Sequence, residues 1–267
     1  MIEVRDLSFG YSGVKVLDNI TTSFVQGKIY GLLGANGVGK STMFKLLCGL
    51  LTTKQGTIEI DGCSPAGRKP SFLSKVFYVP EDFEGPDMSI KQYASGVVQF
   101  YPDYDAELFS HLLSEFQIDA ERKFTTLSLG QRKRAILALA LALRTEYLFL
   151  DEPTNGLDIP SKAEFRKMVA AAMDEKRTII ISTHQVRDVE NLLDHIMILD
   201  KRAVLLDKSI SDIQSEYRFD ISANVPDDAL YVEPGLGGCC SISKNKGEEE
   251  SRVNIELLFN YINSKKK

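Results

Sequence analysis

Gly34-Ala35-Asn36-Gly37-Val38-Gly39-Lys40-Ser41-Thr42 follows the apolar run Lys28-Ile-Tyr-Gly-Leu-Leu33 and leads into Lys40-Ser-Thr-Met-Phe-Lys-Leu-Leu-Cys-Gly-Leu50. The first run predicts a buried strand and the last a helix of 3.6-residue periodicity, with a glycine-rich turn between them. The nine residues fit G-x-x-x-x-G-K-[ST], the phosphate-binding (Walker A) loop. Its glycines let backbone N–H groups turn inward around phosphate oxygens, and the following helix points its positive end at the same anion. Lys40 is placed to neutralise β- and γ-phosphates, and the Ser41 hydroxyl to ligate Mg²⁺. Chance would supply these four fixed positions in roughly 1% of chains of this length. The strand before the loop and the helix after it are the context that turns the match into a prediction of nucleotide binding.

Upstream, Ile2-Glu-Val-Arg-Asp-Leu-Ser-Phe9 and Asn19-Ile-Thr-Thr-Ser-Phe-Val-Gln-Gly27 alternate apolar and polar residues, which predicts short antiparallel strands; Gly56-Thr-Ile-Glu-Ile-Asp-Gly62 predicts another. From about Asp87 to Arg144 the periodicity is helical, through SIKQYASGVVQFY, AELFSHLLSEF and a helix opening near Ser128. Beyond it, YLFLDE, RTIIIST and HIMILD are apolar, β-rich runs separated by the helical segments SKAEFRKMVAAAMDEK and QVRDVENLL, the alternation of a parallel α/β sheet. After about Ser215 the alternation stops. YRFDIS and ALYVE predict strands, EPGLGGCCS is turn-rich, KNKGEEE a charged loop, and RVNIELLFNYIN a final helix before Lys265, Lys266 and Lys267.

The strand Tyr147-Leu-Phe-Leu ends in Asp151 and Glu152. Carboxyl ends of strands are where open α/β sheets place their ligands; Asp151 there suits a Mg²⁺-water contact, and Glu152 can accept a proton from an attacking water. A pair of acids at a strand end also serves as a solvated or helix-capping feature, and the phosphate loop in the same sheet tips the reading towards chemistry.

These motifs occur together with Leu127-Ser-Leu-Gly-Gln131, and a lone His184 follows the apolar run in Ser182-Thr-His184. In this order the set resembles the ATP-binding cassette of ABC transporters over roughly residues 1–214. The resemblance implies an α/β P-loop NTPase with a RecA-like core, an N-terminal antiparallel β-subdomain and an inserted helical subdomain at about 86–145. Residues 215–267 are left as a C-terminal extension of dimerising, regulatory, partner-binding or simple packing role, packing being favoured.

By position, the resemblance implies that Tyr11 stacks on adenine with Val16 beside it, although a tyrosine in this turn can also be a packed core residue. Gly34, Asn36, Gly37, Val38, Gly39, Lys40, Ser41 and Thr42 would cradle the phosphates. Ser128, Gly130 and Gln131 match the signature that contacts the γ-phosphate held by an opposite subunit, and Asp158 the loop that links the two sites. His184 matches the switch histidine on the γ-phosphate. Two departures stand out. The run Tyr78-Val-Pro-Glu81 has glutamate where glutamine is usual, still offering oxygen to Mg²⁺ or to water, and Leu129 replaces a common glycine of the signature. His111 and His195 have no such setting.

The implied activity is ATP hydrolysis with Mg²⁺, catalytic residues Glu152, His184 and Lys40, and metal ligands Ser41, Asp151 and Glu81. Two cassettes, as a homodimer or with a relative, would pair head to tail and power separate membrane permease subunits from the cytoplasmic face. An exporter of drugs or antibiotics is the expected type. The alternative is a soluble cassette ATPase, such as one for iron–sulfur assembly. Only positions 41 to 127 separate Lys40 from Ser128, without sustained heptads, which sets aside the long coiled-coil insertion of chromosome-maintenance heads. Lys40, Asp151, Glu152 and His184 together oppose a regulator without turnover.

Composition bounds the rest. The 267 residues carry 32 Lys+Arg against 37 Asp+Glu, a net charge of −5, with 43% hydrophobic residues, which excludes disorder and a field that would hold nucleic acid unaided. Cys48, Cys63, Cys239 and Cys240 lack C-x-x-C spacing and are expected to be reduced thiols of a cytosolic protein. The N-terminus lacks a signal-peptide pattern, and the longest apolar run, Ala135 to Leu143, is far short of the roughly 20 residues of a membrane span.

Overall fold

The computed structural model describes residues 1–200, 202–235, 238–247 and 251–265. Its strands are β1 (Ile2–Tyr11), β2 (Val14–Phe24), β3 (Ile29–Leu33), β4 (Gln55–Ile60), β5 (Val76–Val79), β6 (Tyr147–Asp151), β7 (Thr178–Thr183), β8 (His195–Asp200), β9 (Ala203–Ser209), β10 (Tyr217–Ser222), β11 (Tyr231–Gly235) and β12 (Gly238–Lys244). Its α-helices are α1 (Lys40–Leu47), α2 (Pro70–Leu73), α3 (Ile90–Val98), α4 (Ala106–Glu115), α5 (Leu129–Ala142), α6 (Ile159–Ala171), α7 (Ile210–Glu216) and α8 (Ile255–Ser264).

A six-stranded sheet in the order β5-β6-β7-β3-β8-β9 forms the centre, parallel throughout except for the edge strand β9. Every residue of β3, β6 and β7 is buried, which is why these strands read as unbroken apolar runs: both faces of a parallel sheet are covered. Because these neighbouring strands run the same way, the loop after β3 and the acids ending β6 emerge on one edge of the sheet. The predicted antiparallel strands form a second sheet, β2-β1-β4. Ser12 and Gly13, with φ of +47° and +85°, make the tight turn that closes the β1–β2 hairpin beside the phosphate loop.

The helices between β5 and β6 start on side-chain caps. Ser89 and Gln92 form a capping box at α3, Asp105 caps α4, and Ser128 and Gln131 form a second capping box at α5. The Ala135–Leu143 run is the buried heart of α5, each residue 1% exposed or less. It is a core helix, and no helix among the described residues is long and apolar enough to cross a membrane.

Two predicted elements differ. QVRDVENLL is not an α-helix but two short 3₁₀ turns, Val186–Asp188 and Glu190–Leu192. Val189 between them leaves helical dihedrals (φ −127°, ψ −5°) to bury its side chain, and the run is rich in weak helix formers, Val, Asp and Asn. The turn-rich reading of EPGLGGCCS fails at both ends: Glu233–Gly235 finish β11, and Gly238–Ser241 begin β12, the central strand of a third sheet ordered β10-β12-β11. Adjacent Cys239 and Cys240 fall on opposite faces of that strand, a period-two pattern hidden by the glycines before it. Leu236, Gly237, the Glu248–Glu250 part of the charged loop, Lys266 and Lys267 lie outside the described residues. The predicted final helix is α8. Its Leu257, Leu258 and Tyr261 join one apolar cluster with Ile196 and Ile198 of the central sheet.

Candidate functional site

The phosphate loop bends as its glycines require. Gly39 has φ +112°, and a Cβ there would lie 2.9 Å from Leu17 Cδ2; a Cβ on Gly34 would lie 2.4 Å from the Leu199 carbonyl oxygen. At these two positions the loop therefore runs against β8 and β2 with no room for a side chain. Helix α1 begins at Gly39 without a side-chain cap, so its first N–H groups face the loop for an anion. Lys40, 5% exposed, folds back over the loop: its Nζ donates to the Gly34 carbonyl at 2.8 Å and the Ala35 carbonyl at 3.2 Å.

A cleft of about 380 Å³ opens above the loop. Asn36, Gly37, Gly39, Lys40, Ser41 and Thr42 form its floor, Tyr11 and Val16 one wall, and Glu81, Asp151 and Glu152 the other. Tyr11 is 45% exposed, braced edge-on by Phe9 at 5.0 Å, with its hydroxyl 3.4 Å from Thr42 Oγ1. An exposed ring held by one edge presents a face for stacking rather than a core contact. Within the loop, buried Gly34 and half-buried Val38 do not line the cleft.

Asp151 is 2% exposed and held at both oxygens: Tyr78 OH donates to Oδ2 at 3.0 Å, and the Ser182 hydroxyl donates to Oδ1. Burial, then the neighbouring Asp151 charge, pushes the Tyr78 phenol well above its usual range, so it remains a donor. Glu152 is also 2% exposed. Its Oε1 lies 3.2 Å from Lys40 Nζ and 2.9 Å from His184 Nδ1. The carboxylate accepts, so His184 carries its proton on Nδ1 and turns Nε2 outward. Glu152 adopts φ +46°, left-handed for a residue with a side chain, a strain of about 1–3 kcal/mol of the kind concentrated at functional sites. A chain of side chains continues outward: Asn155 Nδ2 donates to Glu81 Oε1 at 2.9 Å, and Gln185 Nε2 donates to Asn155 Oδ1 at 3.1 Å.

The signature residues are not brought to this cleft. Ser128 caps α5 and Asp158 caps α6, accepting from the Ser161 N–H at 2.9 Å; the Ser161 hydroxyl first, and then this N–H, hold the Asp158 carboxyl below its usual range. Neither Gly130 nor Gln131 lines the cleft. Gly130 adjoins the Asn155–Asp158 loop instead: a Cβ on it would lie 3.3 Å from the Gly156 oxygen, and Leu129, 50% exposed, sits over Gly156. Tyr78, Ser182, Asn155 and Gln185 were missed from sequence. Ser182 was recoverable from the parallel register that pairs it with Asp151; the others carry no local signal.

A family model described as ABC transporter matches residues 17–155, slightly more than half of the chain. The chain belongs to that family. This ABC cassette is 30% identical over 219 residues to the ABC transporter ATP-binding protein YtrB of Bacillus subtilis, covering 81% of the chain and 75% of that protein. It is 30% identical over 228 residues to the zinc uptake system ATP-binding protein ZurA of Listeria monocytogenes, covering 80% and 88%. A solved ATP-binding subunit of an ABC transporter superposes with a TM-score of 0.72 at 26% identity, covering 80% of the cassette and 92% of that chain. The cassette is thus the ATP-binding subunit of a transporter, an α/β ATPase whose hydrolysis is coupled to transport.

Proposed function

We propose that this cassette hydrolyses Mg²⁺-ATP in the cleft over Lys40, pairs head to tail with a second copy or a related cassette, and drives a separate permease from the cytoplasmic face of a membrane. The observation that carries the pairing is the placement of Ser128, Gly130 and Gln131 away from the cleft that holds Lys40 and Glu152. A capped helix N-terminus with free N–H groups suits an anion, and the anion it suits is the γ-phosphate on another cassette.

Adenine stacks on Tyr11 against Val16, while the loop N–H groups and Lys40 hold the β- and γ-phosphates. Glu152 orients the attacking water and takes its proton, and His184 steadies the γ-phosphate. Ser41, Asp151 and Glu81 form an all-oxygen set that fits Mg²⁺ completed by phosphate and water. That ion, when bound, neutralises charge on the phosphates. Glu81 has one oxygen engaged by Asn155, so its role is shared between the site and the Asn155–Asp158 loop.

The permease would dock on the helical block. A cleft of about 670 Å³ separates it from the core, lined by Leu50, Phe77, Val97, Phe100 and Tyr101. Leu50 and Phe100 are 52% and 67% exposed, apolar surface of the kind a partner covers. The exporter direction is supported by the Tyr78–Glu81 variant, the compact helical block and the extension at 215–267, whose core shared with the sheet favours the packing role. The zinc uptake relative has equal identity and supports the opposite direction.

The test is turnover of Glu152→Gln with ATP binding measured alongside. Retained binding with turnover lost supports the reading; turnover near wild type contradicts it. A pull-down from detergent-solubilised membranes decides the partner: a polytopic protein supports transport, and soluble assembly factors alone would overturn it.

A further inference from the structure

Glu152 is not held by its own loop alone. Its carbonyl oxygen accepts from Lys133 Nζ at 2.8 Å, and the same ammonium donates to the Asn155 carbonyl at 2.9 Å. Lys133 lies on α5, five residues beyond Ser128, and is 4% exposed. Among the described residues no carboxylate forms an ion pair with it. Burial lowers its pKa, while the charges of Glu81 and Glu152 pull the other way. An ammonium buried without a paired carboxylate is costly, so packing alone favours an apolar side chain here. What the ammonium adds is a fixed distance between α5 and the turn in which Glu152 adopts φ +46°.

We propose that Lys133 is a positioning residue for hydrolysis: by clamping the 152–155 turn to α5, it sets the Glu152 carboxylate against the reacting water. It thereby ties that placement to the signature at the start of the same helix. The proposal rests on Glu152 being the base and on Ser128 contacting a second cassette's ATP. A helix this well packed moves as a unit, so engagement of the signature by one nucleotide is carried through Lys133 into the base that serves the other. Asn155 extends the clamp, since its side chain joins Glu81 and Gln185.

Lys133→Met keeps the apolar stem and removes the donors. Its kcat is expected to fall roughly 10- to 100-fold with KM for ATP within about twofold, because a misplaced base slows chemistry while the phosphate loop is untouched. Added to Glu152→Gln, it should lower residual turnover no further, since Lys133 acts through Glu152. Turnover of Lys133→Met within twofold of wild type, or losses that multiply in the double variant, would overturn the proposal. If melting shows that Lys133→Met does not fold, Lys133→Leu, which likewise has no donor, is scored by the same two criteria. Failure of Glu152→Gln to lose turnover strikes the reading of the base; a loss there with none at Lys133 strikes this proposal alone.

Discussion

Replacing Lys40 by methionine tests the phosphate loop where its chemistry is concentrated. The side chain is similar in length, so the loop need not collapse, but the ammonium is gone. A charge-assisted hydrogen bond contributes about 1.5–3 kcal/mol, which corresponds to roughly 10- to 160-fold in affinity. Lys40 already faces Glu152 at 3.2 Å, so its gain on meeting phosphate is net of that exchange. The expected loss therefore lies near the lower bound, about tenfold for ATP. AMP, without β- and γ-phosphates, should bind the variant as it binds the parent. Competition against a fluorescent nucleotide, well below the variant's melting temperature, gives both constants. An ATP constant within twofold of wild type, or equal losses for ATP and AMP, would refute the assignment.

Gly39→Ala forces a Cβ to within 2.9 Å of Leu17 at φ +112°; strain of about 1–3 kcal/mol should lower the melting temperature by roughly 2–12 °C and weaken ATP binding. Arg177→Met leaves the Ala140, Leu141 and Ala172 carbonyls without the guanidinium that ties the ends of α5 and α6, a loss of about 3 kcal/mol readable by denaturant titration. Burial alone would raise the carboxyl of Glu216, but hydrogen bonds from Lys208 and Lys244 outweigh it and hold it at about 2, against an ordinary 4.5. Its stabilisation is thus complete above 4.5 and lost as pH falls towards 2, so the melting gap to Glu216→Gln should be widest near neutrality and close across that window.

The parts of this protein legible in its sequence are those with a local cause. Buried parallel strands must be apolar throughout, so β3, β6, β7 and β8 announced themselves, and the glycines and Lys40 of the loop need fixed spacing to do their work. The cap at Ser128 was legible too, because a serine cap bonds within three residues of its own chain. What stayed hidden was decided by distant packing. Val189 abandons a helix to reach the core, and Cys239–Ile242 gain a central strand position only because β10 and β11 flank them. Lys133 reads as one more cation in Gln131-Arg-Lys-Arg134, and only the fold shows that it alone of these turns inward to Glu152.

The central claim, that the cassette holds half of each ATP site, is tested most directly by light scattering on Glu152→Gln with and without Mg²⁺-ATP. The expected result is a mass of one chain, 29.8 kDa, without nucleotide and twice that with ATP, reverting when Ser128→Arg blocks the signature. A mass that stays at one chain in saturating ATP, or that doubles whatever the nucleotide and whatever stands at position 128, would contradict it.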